Sequence, residues 1–357
     1  MTVVKNVKTE DFNLQKEINN KKNKSLQLCL DLLAEHNIDP TTILPKQSKI
    51  TVSFELIDSN TDIANGLRRC LIDEIPVKSF ELNEHEDLES TDPYILCDVL
   101  KKQIELLPIN QEYDYSNLEI SLFKKNTTDV IIDVTTDDFV FKKNDKNDKN
   151  DKNIVGSGIL LTRLRPGETI KINRITITTG VGKKNYGKFS SVSNVTYKIL
   201  DANPMVDTRI GSDGVSSMNF TPKHFYIEYS THRNIEHPLN LMTTCCDILI
   251  NRFEVILNDV KNIANSDKSY LSDLLTLETV DNKKILKIKG EYWTIVNLIA
   301  RYCFMITNGD IAFVSPALIH PEKEIGVINI VHAEFSTLIQ HSIKKIIAEY
   351  TSIKKNF

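Results

Sequence analysis

The stretch Gly182-Lys183-Lys184-Asn185-Tyr186-Gly187-Lys188-Phe189 nearly spells a phosphate-binding loop, G-x-x-x-x-G-K-[ST]. That chemistry needs a hydroxyl at the last position to hold magnesium, and a helix whose N-terminus faces the phosphates. Phe189 carries no hydroxyl, and the Ser-Ser-Val-Ser-Asn-Val-Thr-Tyr-Lys-Ile that follows reads as a strand. Nucleotide binding is therefore the runner-up reading. A second pair, Arg68-Arg69, offers different chemistry. Arg68 lies off the Ile63/Leu67/Leu71 stripe of its helix, where a guanidinium can grip a partner's carboxylate bidentately or stay solvated. Asn65 and Asn297 are expected to bond to backbone near their helix starts.

No Ser/His/Asp, Cys/His or paired-carboxylate set stands out, and the 8 histidines are dispersed. His320 before Pro321 reads as a turn residue. The 6 cysteines (Cys29, Cys70, Cys97, Cys245, Cys246, Cys303) form no C-x-x-C and have no histidine at ligand spacing, so reduced core thiols are expected. The acidic run at 81–92 lacks fixed ligand spacing and reads as a solvated loop. No catalytic residue, metal or cofactor is expected. A nonspecific nucleic-acid binder usually shows a basic excess, whereas the net charge here is −4, so any nucleic acid is expected to be handled through partners.

These groups must be positioned by a chain of 357 residues, 41% hydrophobic and 26% charged, enough for two or three compact units. No apolar run reaches about 18 residues, and the N-terminal stretch lacks a signal peptide's apolar centre. A location inside the cell, without membrane attachment, is expected. Residues 1–47 read as an extension holding one short leucine-rich helix, closed by Pro40 and Pro45. Residues 49–56 alternate like a half-buried strand, and a helix from about Thr61, capped by Asn60 or Thr61, ends at Pro76. A second helix is expected over 93–109, and Leu-Glu-Ile-Ser-Leu-Phe and Asp-Val-Ile-Ile-Asp-Val-Thr-Thr read as paired strands. The Asp/Lys/Asn repeat from about Asn144 has nothing apolar to bury and reads as a disordered surface insertion. Arg165-Pro166-Gly167-Glu168 reads as a turn between strands, 237–263 and 333–355 as long helices, and 310–331 as a strand pair.

One phrase is written twice. Asp62-Ile-Ala-Asn-Gly-Leu-Arg-Arg69 and Thr294-Ile-Val-Asn-Leu-Ile-Ala-Arg301 share Ile second, Asn fourth and Arg last. In the first, Ile63, Leu67, Cys70 and Leu71 fall at i, i+4, i+7 and i+8; in the second, Ile295, Ile299, Tyr302 and Cys303 do. Each copy lies between strands, and each half ends in a long helix with one apolar stripe. Two such units could cover each other as a homodimer does, within one polypeptide. The expected contact residues are Ile63, Leu67, Leu71, Phe253, Ile256, Ile295, Ile299, Cys303, Leu338 and Ile346.

Residues 60–76 resemble the N-x-x-R-R-x-L-x-x-x-x-P helix of the α-type subunits of multisubunit RNA polymerases, and Ile95–Ile109 resembles the helix leading into that family's insert subdomain. Gly180–Tyr197 resembles its G-x-G-x-x-H-x-K-W-S-P-V segment, with Tyr186 at or beside the usual His, Phe189 for Trp and Ser191 for Pro. The C-terminal part resembles the small α-like partner, the eleventh subunit of eukaryotic polymerase II. Its E-D-H-T-L-G-N helix start appears as Glu291-Tyr292-Trp293-Thr294-Ile295-Val296-Asn297 and its H-P turn as His320-Pro321. Trp293 and Val296 depart from that pattern, and the zinc cysteines of some third-subunit inserts have no counterparts.

The resemblance implies an α+β fold: a third-subunit-like dimerisation domain (48–81 and 158–268), an insert subdomain (82–157) and an eleventh-subunit-like dimerisation domain (269–357), forming an intramolecular pseudo-dimer. A fusion of this kind is similar to what some large DNA viruses encode, which implies a virion and host-cytoplasm location in that case. The implied function is a non-catalytic assembly platform of a DNA-directed RNA polymerase, with the second-largest and largest subunits and small subunits as partners. Lys183, Lys184 and Lys188 would then project from a strand edge towards the second-largest subunit beside Arg68 and Arg69, with Phe189 anchored in a pocket. An adaptor unrelated to transcription is the remaining alternative.

Overall fold

The computed structural model describes residues 2–12, 24–36, 49–83, 87–143, 154–201, 222–232, 237–263, 270–291, 293–307, 313–320 and 322–357. The Asp/Lys/Asn repeat (144–153), Tyr292 and Pro321 lie outside the described residues. From the start run β1 (Val3–Phe12), α1 (Lys24–Glu35), β2 (Lys49–Ile57), α2 (Thr61–Asp73), β3 (Val77–Glu81), β4 (Leu88–Ser90) and α3 (Cys97–Glu105). Then come β5 (Leu118–Lys125), β6 (Ile132–Thr135), β7 (Phe139–Lys143), β8 (Leu160–Leu164), β9 (Thr169–Gly180), α4 (Gly182–Asn185), β10 (Asn194–Ile199), β11 (Phe225–His232) and α5 (Asn240–Ile263). The last part holds β12 (Tyr270–Leu271), β13 (Leu275–Val280), β14 (Lys283–Lys289), α6 (Trp293–Ile306), β15 (Phe313–Leu318), β16 (Ile325–Val331) and α7 (Phe335–Lys354).

Local chemistry sets the start of α2. Asn60 sits in extended backbone, and its Oδ1 accepts from the Asp62 and Ile63 amides at 3.0 Å each. The stripe Ile63, Leu67, Cys70 and Leu71 is buried, as is Ile295, Ile299, Tyr302 and Cys303 on α6. Both helices lie on antiparallel sheets. The first sheet runs β1-β2-β11-β10 and the second β12-β13-β14-β16-β15. Apart from the short β12, the two orders correspond. In each, the strand before the repeated phrase (β2, β14) lies beside the strand before the long helix (β11, β16), and β10 or β15 forms the far edge.

Four helices join the sheets. α2 packs on α5 and α6, and α7 packs on α5 and α6. The long helices also cross over: α5 touches β13 of the second sheet, and α7 touches β1 of the first. Phe357 meets Phe54 edge-on with ring centroids 4.9 Å apart, and Glu349 Oε2 accepts from the Thr2 amide at 2.6 Å. One continuous apolar core therefore spans both halves, from Val52 and Phe54 through Leu67 and Phe253 to Ile339 and Ile353.

Residues 3–12, assigned to an extension from the sequence, are a strand of the first sheet: β1 pairs with β2 over Val3–Lys5 and Lys8–Phe12, with a register shift between, and Val4 is buried. α1 keeps Leu28 and Leu32 exposed. The inserted unit has its own core, from Phe80 to Ile177, and so exceeds the expected 82–157. The reason is β9, a 12-residue strand that pairs with β3 and β4 on one side and β5 on the other. Its Ile170, Ile172 and Ile175 are buried in that core. The expected pairing of 118–123 with 129–136 is also corrected: β5 pairs with β7 and β9, while β6 pairs with β8.

Candidate assembly interface

The ten stripe residues meet in the joint core. Ile63, Leu67, Leu71, Phe253, Ile256, Ile295, Ile299, Cys303, Leu338 and Ile346 are all buried within it. The helices pack tightly at Gly66. A Cβ there would stand 2.6 Å from Tyr350 Oη, 3.6 Å from Leu298 Cδ1 and 3.6 Å from Thr294 Cγ2. Gly66 and Leu298 are the fifth residues of the two phrases, so equivalent positions face each other where α2 and α6 cross. Asn60 Nδ2 donates to Tyr302 Oη at 3.3 Å on one flank of this crossing. Burial raises the Asp62 pKa, and the Arg301 charge opposes the shift.

The thiols are part of this packing. Cys70 Sγ donates to Cys245 O at 3.6 Å, and Cys245 Sγ donates to Leu67 O at 3.7 Å. Burial pushes Cys246 up to about 12 and Cys303 up to about 11, so both stay protonated at neutral pH.

The Gly/Lys loop is folded into the protein. Glycine at 180 admits the Phe189 ring, which a Cβ would meet at 2.7 Å; a Cβ at 182 would stand 3.2 Å from Asp73 Cα and Ile72 O, so glycine lets the loop pack on the end of α2. Ser190 Oγ donates to Ile72 O at 3.4 Å and Ser191 Oγ to Leu71 O at 3.0 Å, satisfying carbonyls at the C-terminal end of α2. Both roles of the loop, close packing and helix capping, were invisible to motif reading. They explain Gly180, Gly182, Ser190 and Ser191 without a phosphate.

The predicted partner-facing side chains divide. Phe189 is 2% exposed, anchored in the chain itself. Lys188, expected to project outwards, is 15% exposed, with its ammonium 3.6 Å from Glu105 Oε1, 3.9 Å from Glu81 Oε1 and over the Phe189 ring. At the phosphate-loop lysine position, this cation is already engaged by carboxylates. Lys183 Nζ donates to Gly290 O at 3.1 Å, reaching the second half. Lys184 lies in α4. Arg68, expected free for a partner, donates from Nε and Nη2 to Asn65 Oδ1 at 3.1 and 3.0 Å. Asn65 thus serves Arg68 rather than backbone. Arg69 is half-buried, and no ion pair of Arg69 occurs among the described residues.

A network that sequence reading missed links the halves. Arg252 on α5 places Nη1 2.7 Å from Glu74 Oε2, at the end of α2, and Nε 3.2 Å from Glu291 Oε1, just before α6. Burial drives the Glu291 carboxyl up to about 7, against the pull of Arg252 and Lys183. An unfolded carboxyl titrates near 4.5, so between about 4.5 and 7 the folded chain holds a proton that the unfolded chain releases. The stability contributed by neutral Glu291 is fully present below 4.5 and is lost as pH rises to about 7. Urea unfolding of the parent and of Glu291→Gln should therefore diverge with pH. Relative to the variant, the parent loses on the order of 3 kcal/mol across that window. A pH-independent difference would remove this assignment.

No family model matches the chain. Curated relatives do. Subunit 3 of DNA-directed RNA polymerases II, IV and V from Arabidopsis thaliana is 24% identical over 200 residues, 47% of this chain and 61% of that protein. Subunit 3B of RNA polymerases IV and V from the same plant is 23% identical over 187 residues, 44% of this chain and 56% of that protein. DNA-directed RNA polymerase II subunit rpb3 of Dictyostelium discoideum is 28% identical over 220 residues, 52% of this chain and 70% of that protein. The chain spans about three-fifths of the length of the first two. These similarities support an α-like subunit of a DNA-directed RNA polymerase, and the mixed α+β arrangement with several antiparallel sheets is consistent with that fold.

Proposed function

We propose that the chain is a non-catalytic assembly subunit of a DNA-directed RNA polymerase, in which a third-subunit-like half and an eleventh-subunit-like half form an internal pseudo-dimer. The carrying observation is the helix crossing, where Gly66 and Leu298, the same position of the two phrases, oppose each other. In a twofold interface, residues near the axis meet their own equivalents. The corresponding strand orders and the reciprocal reach of α5 to β13 and α7 to β1 support the same reading. Each polymerase relative aligns with about half of this chain, which leaves length for a second unit. Covalent joining replaces a concentration-dependent encounter by a high effective concentration.

The partners in this reading are the second-largest and largest subunits, with small subunits beside them and nucleic acid contacted only through the complex. The site of action is inside the cell; for a virally encoded chain, it is the virion and the host cytoplasm. Arg68 and Arg69 on α2 are the contact residues for the second-largest subunit, and the 180–189 loop, fastened to the end of α2, shapes the same edge. Purification from the native source with mass spectrometry should recover both catalytic subunits. Arg68→Glu with Arg69→Glu should leave the circular dichroism spectrum unchanged and abolish recovery of the second-largest subunit. Retention of that subunit by the double variant would remove the assigned contact, and absence of both catalytic subunits would remove the polymerase reading.

A further inference from the structure

The two main sheets differ on the faces turned away from the helices. On the first, the positions alternating with the buried Phe54, Leu56 and Ile227 include Ser53, Glu55, Tyr226, Glu228, Thr51 and Lys198, a polar surface. On the second, the positions alternating with the buried Leu286, Ile288, Ile328 and Ile330 are Ile285, Ile325, Val327, Val331, Ala317 and Phe313, with Asn329 and Ser315 in the row of Ile285 and three lysines along β14. Ile285, Ile325, Val331 and Ala317 are half-buried, Val327 is 6% exposed, and Phe313 is 44% exposed. Among the described residues, the four-helix bundle lies on the opposite side of this sheet. Six outward apolar side chains, interrupted by Asn329 and Ser315 and bordered by the lysines of β14, set this face apart from the polar one on its counterpart and make it a candidate docking surface.

The charges say what docks. Lys283, Lys287 and Lys289 share the outward side of β14; Glu278 meets Lys287, and the Lys283 ammonium stands 5.4 Å from the Phe313 ring centroid. Three lysines against one glutamate leave a net charge of +2 on this face. Two copies packed face to face would set lysine against lysine. Nucleic acid would meet isoleucine and valine, with Phe313 the sole aromatic for stacking among the residues named. We propose that the outer face of the second sheet receives an amphipathic helix of a partner polypeptide, its apolar stripe flanked by Asp and Glu side chains. This inference stands apart from the polymerase reading, because it uses only the face and its charge.

The test uses the full chain and two synthetic helical peptides of roughly 18 residues, about 27 Å long, which matches the breadth of the sheet. Both carry the same Leu/Ile stripe, flanked by Glu in one and by Lys in the other. At low salt the Glu-flanked peptide should bind roughly tenfold more tightly than the Lys-flanked one, a difference of about 1.4 kcal/mol. Ile285→Asp with Phe313→Asp should weaken its binding by at least about tenfold. Lys283→Glu with Lys289→Glu, two surface changes that leave the core intact, should invert the preference. Equal affinities, or a preference untouched by the charge reversal, would overturn the proposal. Sedimentation showing a dimer that Ile285→Asp with Phe313→Asp dissociates would overturn it too, by assigning the face to self-association.

Discussion

Gly66→Leu should destabilise the chain by more than about 3 kcal/mol, seen as a large drop in the urea midpoint with the slope retained. Leu298, Thr294 and Tyr350 already surround the glycine, and Tyr350 is fully buried, so an added isobutyl group has nowhere to go. The smaller change, Gly66→Ala, isolates the cause. Alanine gains about 1 kcal/mol over glycine in a helix interior, but here its methyl would lie 2.6 Å from Tyr350 Oη. That hydroxyl is buried with no hydrogen-bond partner among the described residues, so Tyr350→Phe should be neutral or stabilising by about 1 kcal/mol. In Gly66→Ala with Tyr350→Phe, the clash disappears and the helical gain is recovered. The double-mutant cycle should report a favourable coupling of roughly 1–2 kcal/mol. If the two substitutions are simply additive, the Tyr350 hydroxyl of α7 does not press on Gly66.

Arg252→Met is the second large effect. The guanidinium lies between Glu74 and Glu291, and its loss leaves two carboxylates facing each other in a largely desolvated place. Removing one partner of a buried charge group costs about 3–5 kcal/mol, and the methionine stem preserves most of the volume. The penalty should be greatest at pH 8, above the Glu291 value of about 7. It should shrink at pH 5, below the Glu291 value of about 7, because that carboxyl then carries its proton. Arg252→Lys keeps the charge but cannot reach both carboxylates with one planar fork, so it should fall between parent and methionine. Adding Glu74→Gln and Glu291→Gln to Arg252→Met should restore much of the stability. A pH-independent loss in Arg252→Met, unrescued by the two glutamines, would show that the arginine serves packing alone.

The helices and their apolar stripes were legible because period and capping are local properties. Ile63, Leu67 and Leu71 predicted a buried face, and Asn60 a cap, from residues within one or two turns. Strand partners were less legible. β5 and β6 are near neighbours in the chain, but β5 needs β9, whose register is set about fifty residues later. The limits of the inserted unit were misplaced for the same reason, since β9 serves the inserted core and then leads into the loop beside α2. The loop lysines illustrate a different limit. An exposed-looking cation in a Gly-rich segment has no sequence mark showing whether a carboxylate waits for it, and Lys188 finds Glu105 and Glu81, far away in the chain. Arg252 had one faint signal: it is a cation directly preceding Phe253 in the middle of a helix that is otherwise mostly apolar on that side.

The crossing-over of α7 sets an order of events during synthesis. Phe54 is made early, yet the ring that closes over it is Phe357, and the acceptor for the Thr2 amide is Glu349. A nascent chain on the ribosome must therefore carry its first sheet partly bare until α7 emerges. The inserted unit, whose core lies between Phe80 and Ile177, can settle much sooner. Contacts spanning so much chain make the final closure slow, and the uncovered sheet is the place where a chaperone would be needed most.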